Sequence, residues 1–168
     1  MLIVWVVAVR HISLLCVGKL KEAYWRDACA EYGKRLSAFC RLTVTEVEEE
    51  RLPENPSAAQ IARAVQEEGR RLLAKVPAGA AVIAWCIEGK ELDSPAFSET
   101  LDKLAVDGVN AAALVIGGSW GLSDDVKKAA RLRLSMSPMT FPHQLARVMV
   151  LEQLYRAMQI SQGGKYHK

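Results

Sequence analysis

The sequence predicts an α/β fold built on a mainly parallel sheet, and three observations predict it. Residues 12–17 (ISLLCV), 80–87 (AAVIAWCI) and 111–116 (AAALVI) are strand-length apolar runs, the pattern of parallel strands covered on both faces. Segments with helical spacing separate them, so strand and helix alternate along the chain. No long linker, internal repeat or low-complexity stretch interrupts residues 1–168. A single domain with a buried core is therefore expected.

Each element has its own signal. Residues 1–9 (MLIVWVVAV) are apolar until Arg10 and His11 end the run. That length is too short to cross a bilayer, and the run lacks the basic start and cleavage site of a signal peptide. A strand or a hydrophobic extension is expected there. The run 12–17 ends at Gly18, a strand meeting a turn. Over 21–39, Tyr24, Trp25, Ala28, Cys29, Tyr32 and Leu36 share one helical face. Residues 42–48 are rich in Thr and Val and suit a second strand. The acids at 48–50, with Pro53 and Pro56, make a charged loop. Ser57 can cap a helix with Ile61, Ala64, Val65, Leu72 and Leu73 as its apolar positions, and the segment 77–79 stops it. After the strand at 80–87, Ser94 reads as an N-cap with Pro95 at the first position of a helix to about Val106. The strand at 111–116 meets the turn Gly117-Gly118-Ser119-Trp120-Gly121. Ser123 caps a short helix, with Asp124 and Asp125 near its positive end. Residues 132–136 suit a short strand, and the last helix runs from about His143 to about Ile160.

Composition narrows the function. An apolar content of 51% is that of a globular chain. Cys16, Cys29, Cys40 and Cys86 form no CxxC pair and have no histidine at ligand spacing. Neither a metal site nor a disulfide framework is expected, and reduced cysteines suit a soluble cytoplasmic protein. Charge is placed unevenly. From Lys127 to Lys168 there are eight Lys/Arg and one acid, a net of +7; the preceding residues hold fourteen and eighteen, a net of −4. A basic end on a nearly balanced chain points to an anionic partner.

Ligands of open α/β sheets bind outside the carboxyl ends of the strands. Three such ends carry unusual residues: 85–90, 117–121 and 136–142. The glycine turn follows a strand and opens a helix, so its amides either face a ligand or simply make a tight turn. It is neither a P-loop nor a GxGxxG fingerprint. Met136, Ser137, Pro138, Met139, Thr140 and Phe141 read by composition as a core loop, or alternatively as a wall for a flat ring such as adenine. His143, at a helix start, is either structural or a proton acceptor held neutral by the helix N-terminus. Arg147 and Arg156 sit on a helix apolar on every other side, which predicts a subunit interface. Lys165, Tyr166, His167 and Lys168 set rings between cations, a combination suited to RNA.

Longer motifs run through the chain. They are Val17-Gly18-Lys19-Leu20-Lys21 with Tyr24-Trp25, Glu31-Tyr32 with Lys34-Arg35-Leu36, Gly89-Lys90-Glu91-Leu92, and Ile116-Gly117-Gly118 with Gly121-Leu122. The most specific are Thr140-Phe141-Pro142-His143-Gln144-Leu145, Glu152-Gln153-Leu154-Tyr155-Arg156-Ala157 and Tyr166-His167-Lys168. Over roughly residues 12–168 the chain resembles the ribosomal large-subunit RNA pseudouridine N3-methyltransferases of the SPOUT superfamily. The resemblance implies a SPOUT-type α/β knot, a mainly parallel sheet flanked by helices and ending in a C-terminal trefoil knot. It implies S-adenosylmethionine as cofactor, held by Trp85, Gly117, Met136, Ser137, Pro138, Met139, Thr140 and Phe141. It implies a homodimer through the C-terminal helix and, as substrate, a pseudouridine of 23S rRNA in the assembled 70S ribosome. His143 and Arg147 become the catalytic candidates, facing the reacting base. Arg156, Lys165, Tyr166, His167 and Lys168 become the RNA contacts.

The chain departs from that family pattern in four places. Trp85-Cys86 stands where Leu-Asp is usual, Ser119-Trp120 where proline and an acidic or polar residue are usual, and Lys165 where proline is usual. Residues 1–11 precede the usual start, and read either as an N-terminal extension or as the product of an upstream start codon. Two alternatives remain beside the main reading: a SPOUT methyltransferase acting on tRNA, and a non-catalytic dimer of the same fold that binds RNA or the ribosome.

Overall fold

The computed structural model describes residues 8–168. The strand or extension expected over 1–9 lies largely outside the described residues. Strands and helices alternate in the order β1 His11–Val17, α1 Ala23–Leu36, β2 Arg41–Val47, α2 Ala58–Leu73, β3 Ala81–Glu91, α3 Ser94–Val106, β4 Ala111–Ile116, α4 Asp124–Ala129, β5 Leu132–Ser135 and α5 His143–Ser161. The strands make one five-stranded sheet in the order β2-β1-β4-β3-β5, with every pairing parallel. This is the expected layered α/β architecture.

The apolar runs are unbroken because both sheet faces are covered. Ile12, Leu14 and Cys16, with Ile83 and Leu114, pack toward α1, α3 and α5. Their strand neighbours Leu15 and Val17, with Val82, Ala84 and Val115, pack toward α2 and α4. Burial pushes the Cys16 thiol up to about 12 and the Cys40 thiol up to about 11, so both act as inert core side chains. All four cysteines are free thiols.

Helix starts follow side-chain chemistry. Ser57 caps α2 in a full capping box with Gln60, worth about 1 kcal/mol. At α3 the expectation is off by one residue. Asp93, not Ser94, is the N-cap, its carboxylate accepting from Ala96 N at 2.8 Å. The Ser94 hydroxyl instead donates to Gln153 Oε1 at 2.6 Å and ties α3 to α5.

Three further expectations change. Val9, Arg10 and His11, placed with the extension, belong to the fold. Val9 is buried in the core, Arg10 N donates to Asn110 O, and Arg10 O accepts from Arg41 N at 2.8 Å. Strand β3 runs on to Glu91 because it pairs with β5 twice: Trp85 and Lys90 both register on Leu134, and the residues between bulge outward. Gly89 permits this, since a Cβ there would lie 2.4 Å from the Leu134 carbonyl carbon. Finally, α5 does not need a partner subunit for most of its cover. It lies against α1 and α3 and buries Val150, Leu151, Leu154, Ala157 and Met158. Leu145, Val148 and Met149 stay half-buried.

Candidate active site

A cleft of about 870 Å³ opens at the carboxyl ends of β3, β4 and β5, where an open parallel sheet exposes its loops. Its walls come from the β3 bulge (Trp85, Cys86, Ile87, Glu88), the β4–α4 turn (residues 117–122) and the β5–α5 loop, closed by His143, Gln144 and Ala146 of α5. The three segments singled out in the sequence therefore meet in one place. Of the expected cofactor residues, Trp85, Gly117, Met136, Ser137, Met139, Thr140 and Phe141 line the cleft. Pro138 does not; it is exposed beyond the rim.

Local bonding shapes each wall. Gly118 and Gly121 pair across the base of the turn, with Gly121 N donating to Gly118 O at 3.1 Å. Gly121 has φ +82°, a conformation natural to glycine. In the β5–α5 loop, Ser135 Oγ donates to Ser137 O at 3.0 Å, and Ser137 Oγ accepts from Met139 N at 3.0 Å. These bonds turn the chain sharply and hold Met136 and Met139 against the cleft.

Trp85 carries the most telling polar atom. Its ring meets Phe97 edge-on at 5.7 Å, and its indole N–H is buried with no hydrogen-bond partner. Such an orphan donor costs about 1–3 kcal/mol. The nitrogen is sealed from solvent, so a bound group would reach it only through a shift of the β3 bulge; the fit to a cofactor rests on the cleft's size and on the apolar side chains and hydroxyls of its walls. At the lip, Lys127 pairs with Glu88 and holds that carboxyl below the usual range. Nothing in the sequence signals this pair, because its members lie on separate elements.

His143 begins α5, half-buried on the cleft wall. Burial lowers its pKa, Glu49 opposes the shift, and Arg147 adds to it. The imidazole is thus neutral near pH 7 and able to accept a proton.

Arg147, expected to face the reacting base, does not line the cleft. Its side chain is 2% exposed. It donates to Glu46 Oε2 at 2.7 Å and to the carbonyls of Val17 at 2.9 Å and Gly18 at 2.6 Å. It is a clasp between α5 and the ends of β1 and β2. Arg156 is also engaged: Nε and Nη2 reach Glu152 Oε1 at 3.0 and 2.6 Å, and the guanidinium lies 4.6 Å from the Tyr166 ring centroid. Tyr166 packs edge-on against Tyr155 at 4.8 Å and donates to Glu152 Oε1 at 3.2 Å. The tail is folded onto α5, with Lys165, His167 and Lys168 exposed. Tyr155 lies three turns along α5 from His143, about 18 Å by helical rise, so the tail is remote from its own chain's cleft. Among the described residues no cluster suited to a metal ion occurs, and no helix is long and apolar enough to cross a membrane.

A parallel sheet with a cofactor-sized cleft at its carboxyl ends defines a class of ligand-binding α/β proteins, and the chain's relatives specify which. The family model described as "Predicted SPOUT methyltransferase" matches residues 10–167. The chain belongs to the SPOUT methyltransferase family. It is similar to proteins named "Ribosomal RNA large subunit methyltransferase H". It is 46% identical to the one from Leuconostoc mesenteroides, and 48% identical to those from Exiguobacterium sp. and Bacillus thuringiensis. Each alignment spans 158 residues, 94% of this chain and 99% of the relative. Solved structures share the fold at lower identity. The "Probable Methyltransferase from Bordetella pertussis Tohama I" matches with TM-score 0.56 and 14% identity, over 89% of this chain and 95% of that one. TrmJ from Z. mobilis ZM4 matches with TM-score 0.50 and 18% identity, over 89% and 70%.

Proposed function

We propose that this chain is an S-adenosylmethionine-dependent methyltransferase that modifies N3 of a pseudouridine in 23S rRNA of the assembled 70S ribosome. The observation that carries the chemistry is the convergence of the β3 bulge, the glycine turn and the β5–α5 loop on one cleft bordered by His143. The relatives' shared name supports large-subunit rRNA as the substrate class. The protein would act in the cytoplasm as one domain, closed by the trefoil knot that the resemblance implies.

S-adenosylmethionine would supply a methyl group bound to a sulfonium centre. Trp85, Gly117, Met136, Ser137, Met139, Thr140 and Phe141 would hold it. The imide proton must leave N3 for the nitrogen to act as nucleophile, and neutral His143 in the same cleft would accept it. Holding the nitrogen in line with the methyl carbon supplies much of the acceleration. Because burial holds the His143 pKa low, the base form persists below the ordinary value of about 6.5. The acid limb of the rate–pH profile should lie below that value, and His143→Asn should abolish it. An unchanged profile in the variant would remove His143 from proton transfer.

The homodimer rests on the half-buried Leu145, Val148 and Met149 of α5, continuous with the buried face. A dimer would also give the tail a role. Docked remote from its own cleft, it would reach RNA at the partner's. Deleting residues 166–168 should raise the KM for ribosomes about tenfold and leave cofactor affinity unchanged in calorimetry. Equal losses in both would place the tail in the cofactor site.

The deciding experiment is methyl transfer from labelled cofactor to 70S ribosomes of a strain lacking the enzyme, with mapping of the modified base. Transfer to tRNA alone would favour the tRNA enzyme. No cofactor binding, with or without ribosomes, would leave the non-catalytic RNA-binding dimer.

A further inference from the structure

We propose that Trp120 is the stacking platform for the nucleobase entering the cleft, an assignment that rests on the rRNA methyltransferase reading. Trp120 sits on the turn between β4 and α4 with 54% of its surface exposed. The turn beneath it is braced by the Gly118–Gly121 pair and by the close packing of Gly117 on the Gly121 backbone. A large ring on a braced turn loses little freedom on binding. It also has company. Ile87 is 53% exposed and Met139 is 70% exposed, and all three residues line the same cleft from three separate segments, the β3 bulge, the β4–α4 turn and the β5–α5 loop. Single exposed hydrophobic residues need no explanation; converging ones mark a binding surface.

The chemistry of the substrate selects the occupant. A base modified within folded RNA must leave its stack, and enzymes offset that loss with aromatic and apolar faces. Trp120 offers the largest such face at this mouth, with Ile87 and Met139 as the flanking edges of a slot. His143 lines the same cleft, so a base laid on Trp120 stays in the space the proton acceptor borders. A second copy of the chain seated on this patch would cover the mouth through which the base must come.

The test compares wild type, Trp120→Ala and Trp120→Phe in three measurements: ribosome KM and kcat, S-adenosylmethionine affinity by calorimetry, and oligomeric state by sedimentation. The alanine variant should raise the ribosome KM about tenfold or more. The rise in ribosome KM should exceed any change in cofactor affinity several-fold, the oligomeric state should stay that of wild type, and the phenylalanine variant should recover most of the loss. An unchanged KM, with wild type active, overturns the stacking role alone. Cofactor affinity falling in step with KM overturns it in favour of a cofactor wall, and an altered oligomeric state overturns it in favour of a subunit contact. Wild type inactive on ribosomes overturns both the platform and the reading beneath it.

Discussion

Arg147→Ala is expected to destabilise the fold by about 3 kcal/mol, the low end of the cost of breaking a buried ion pair from one side. The low end applies because Glu46 remains 34% exposed and can be rehydrated. The buried Val17 carbonyl loses the guanidinium donor and gains none from alanine. Removing so large a buried side chain also leaves a void under α5. For a chain of this size the melting temperature should fall by roughly 6–12 °C. Arg147→Lys should recover only part of the loss, since one ammonium cannot replace a fork that serves Glu46, Val17 O and Gly18 O together. Urea denaturation of both variants checks this. A loss below about 1 kcal/mol for alanine, with methyl transfer abolished in the folded protein, would reverse the conclusion. It would return Arg147 to the reaction.

That arginine also shows where sequence reading stops. Its spacing to His143 and its place in an apolar helix are visible, and both invite a catalytic or interfacial role. Its partners are not visible, because Glu46 and Val17 lie 101 and 130 residues away and no local pattern joins them. The strands were legible for the opposite reason. Burial on both faces leaves an unbroken apolar run, as at Ala111–Ile116, whose bounds coincide with β4. Strand β3 was legible only to its bulge. Beyond it, Glu88, Gly89, Lys90 and Glu91 carry no strand pattern, and pairing with β5 decides their conformation. The cap of α3 was misplaced because Asp93 and Ser94 are both good capping residues; the backbone geometry chose the aspartate. The cleft's position followed from strand ends and topology. Lys127 and Glu88, brought together at its lip by tertiary folding, did not.

Gly117→Val is expected to weaken cofactor binding about tenfold or more, by reshaping the turn rather than by filling the cleft. A Cβ at Gly117 would lie 2.5 Å from Gly121 O, 2.6 Å from Gly121 C and 3.0 Å from Leu122 N. All three are backbone atoms, so no rotamer change can relieve the overlap. The turn must open, moving the wall formed by residues 117–122 and carrying Trp120 with it. Overpacking of this kind costs about 1–3 kcal/mol of stability, and Gly117→Ala should already show most of it, because the Cβ itself collides. Gly118→Ala is the control. Its Cβ would lie 3.1 Å from Val17 Cγ1, a side-chain contact that has to yield by only a few tenths of an ångström, so affinity and melting temperature should change less. The two glycines are neighbours in one motif, yet the clash falls on backbone at one and on a side chain at the other. Calorimetry with S-adenosylmethionine and thermal melts of the three variants test the distinction. Equal, small effects at both positions would mean that the turn relaxes freely, and that its glycines do not set the shape of the cofactor wall.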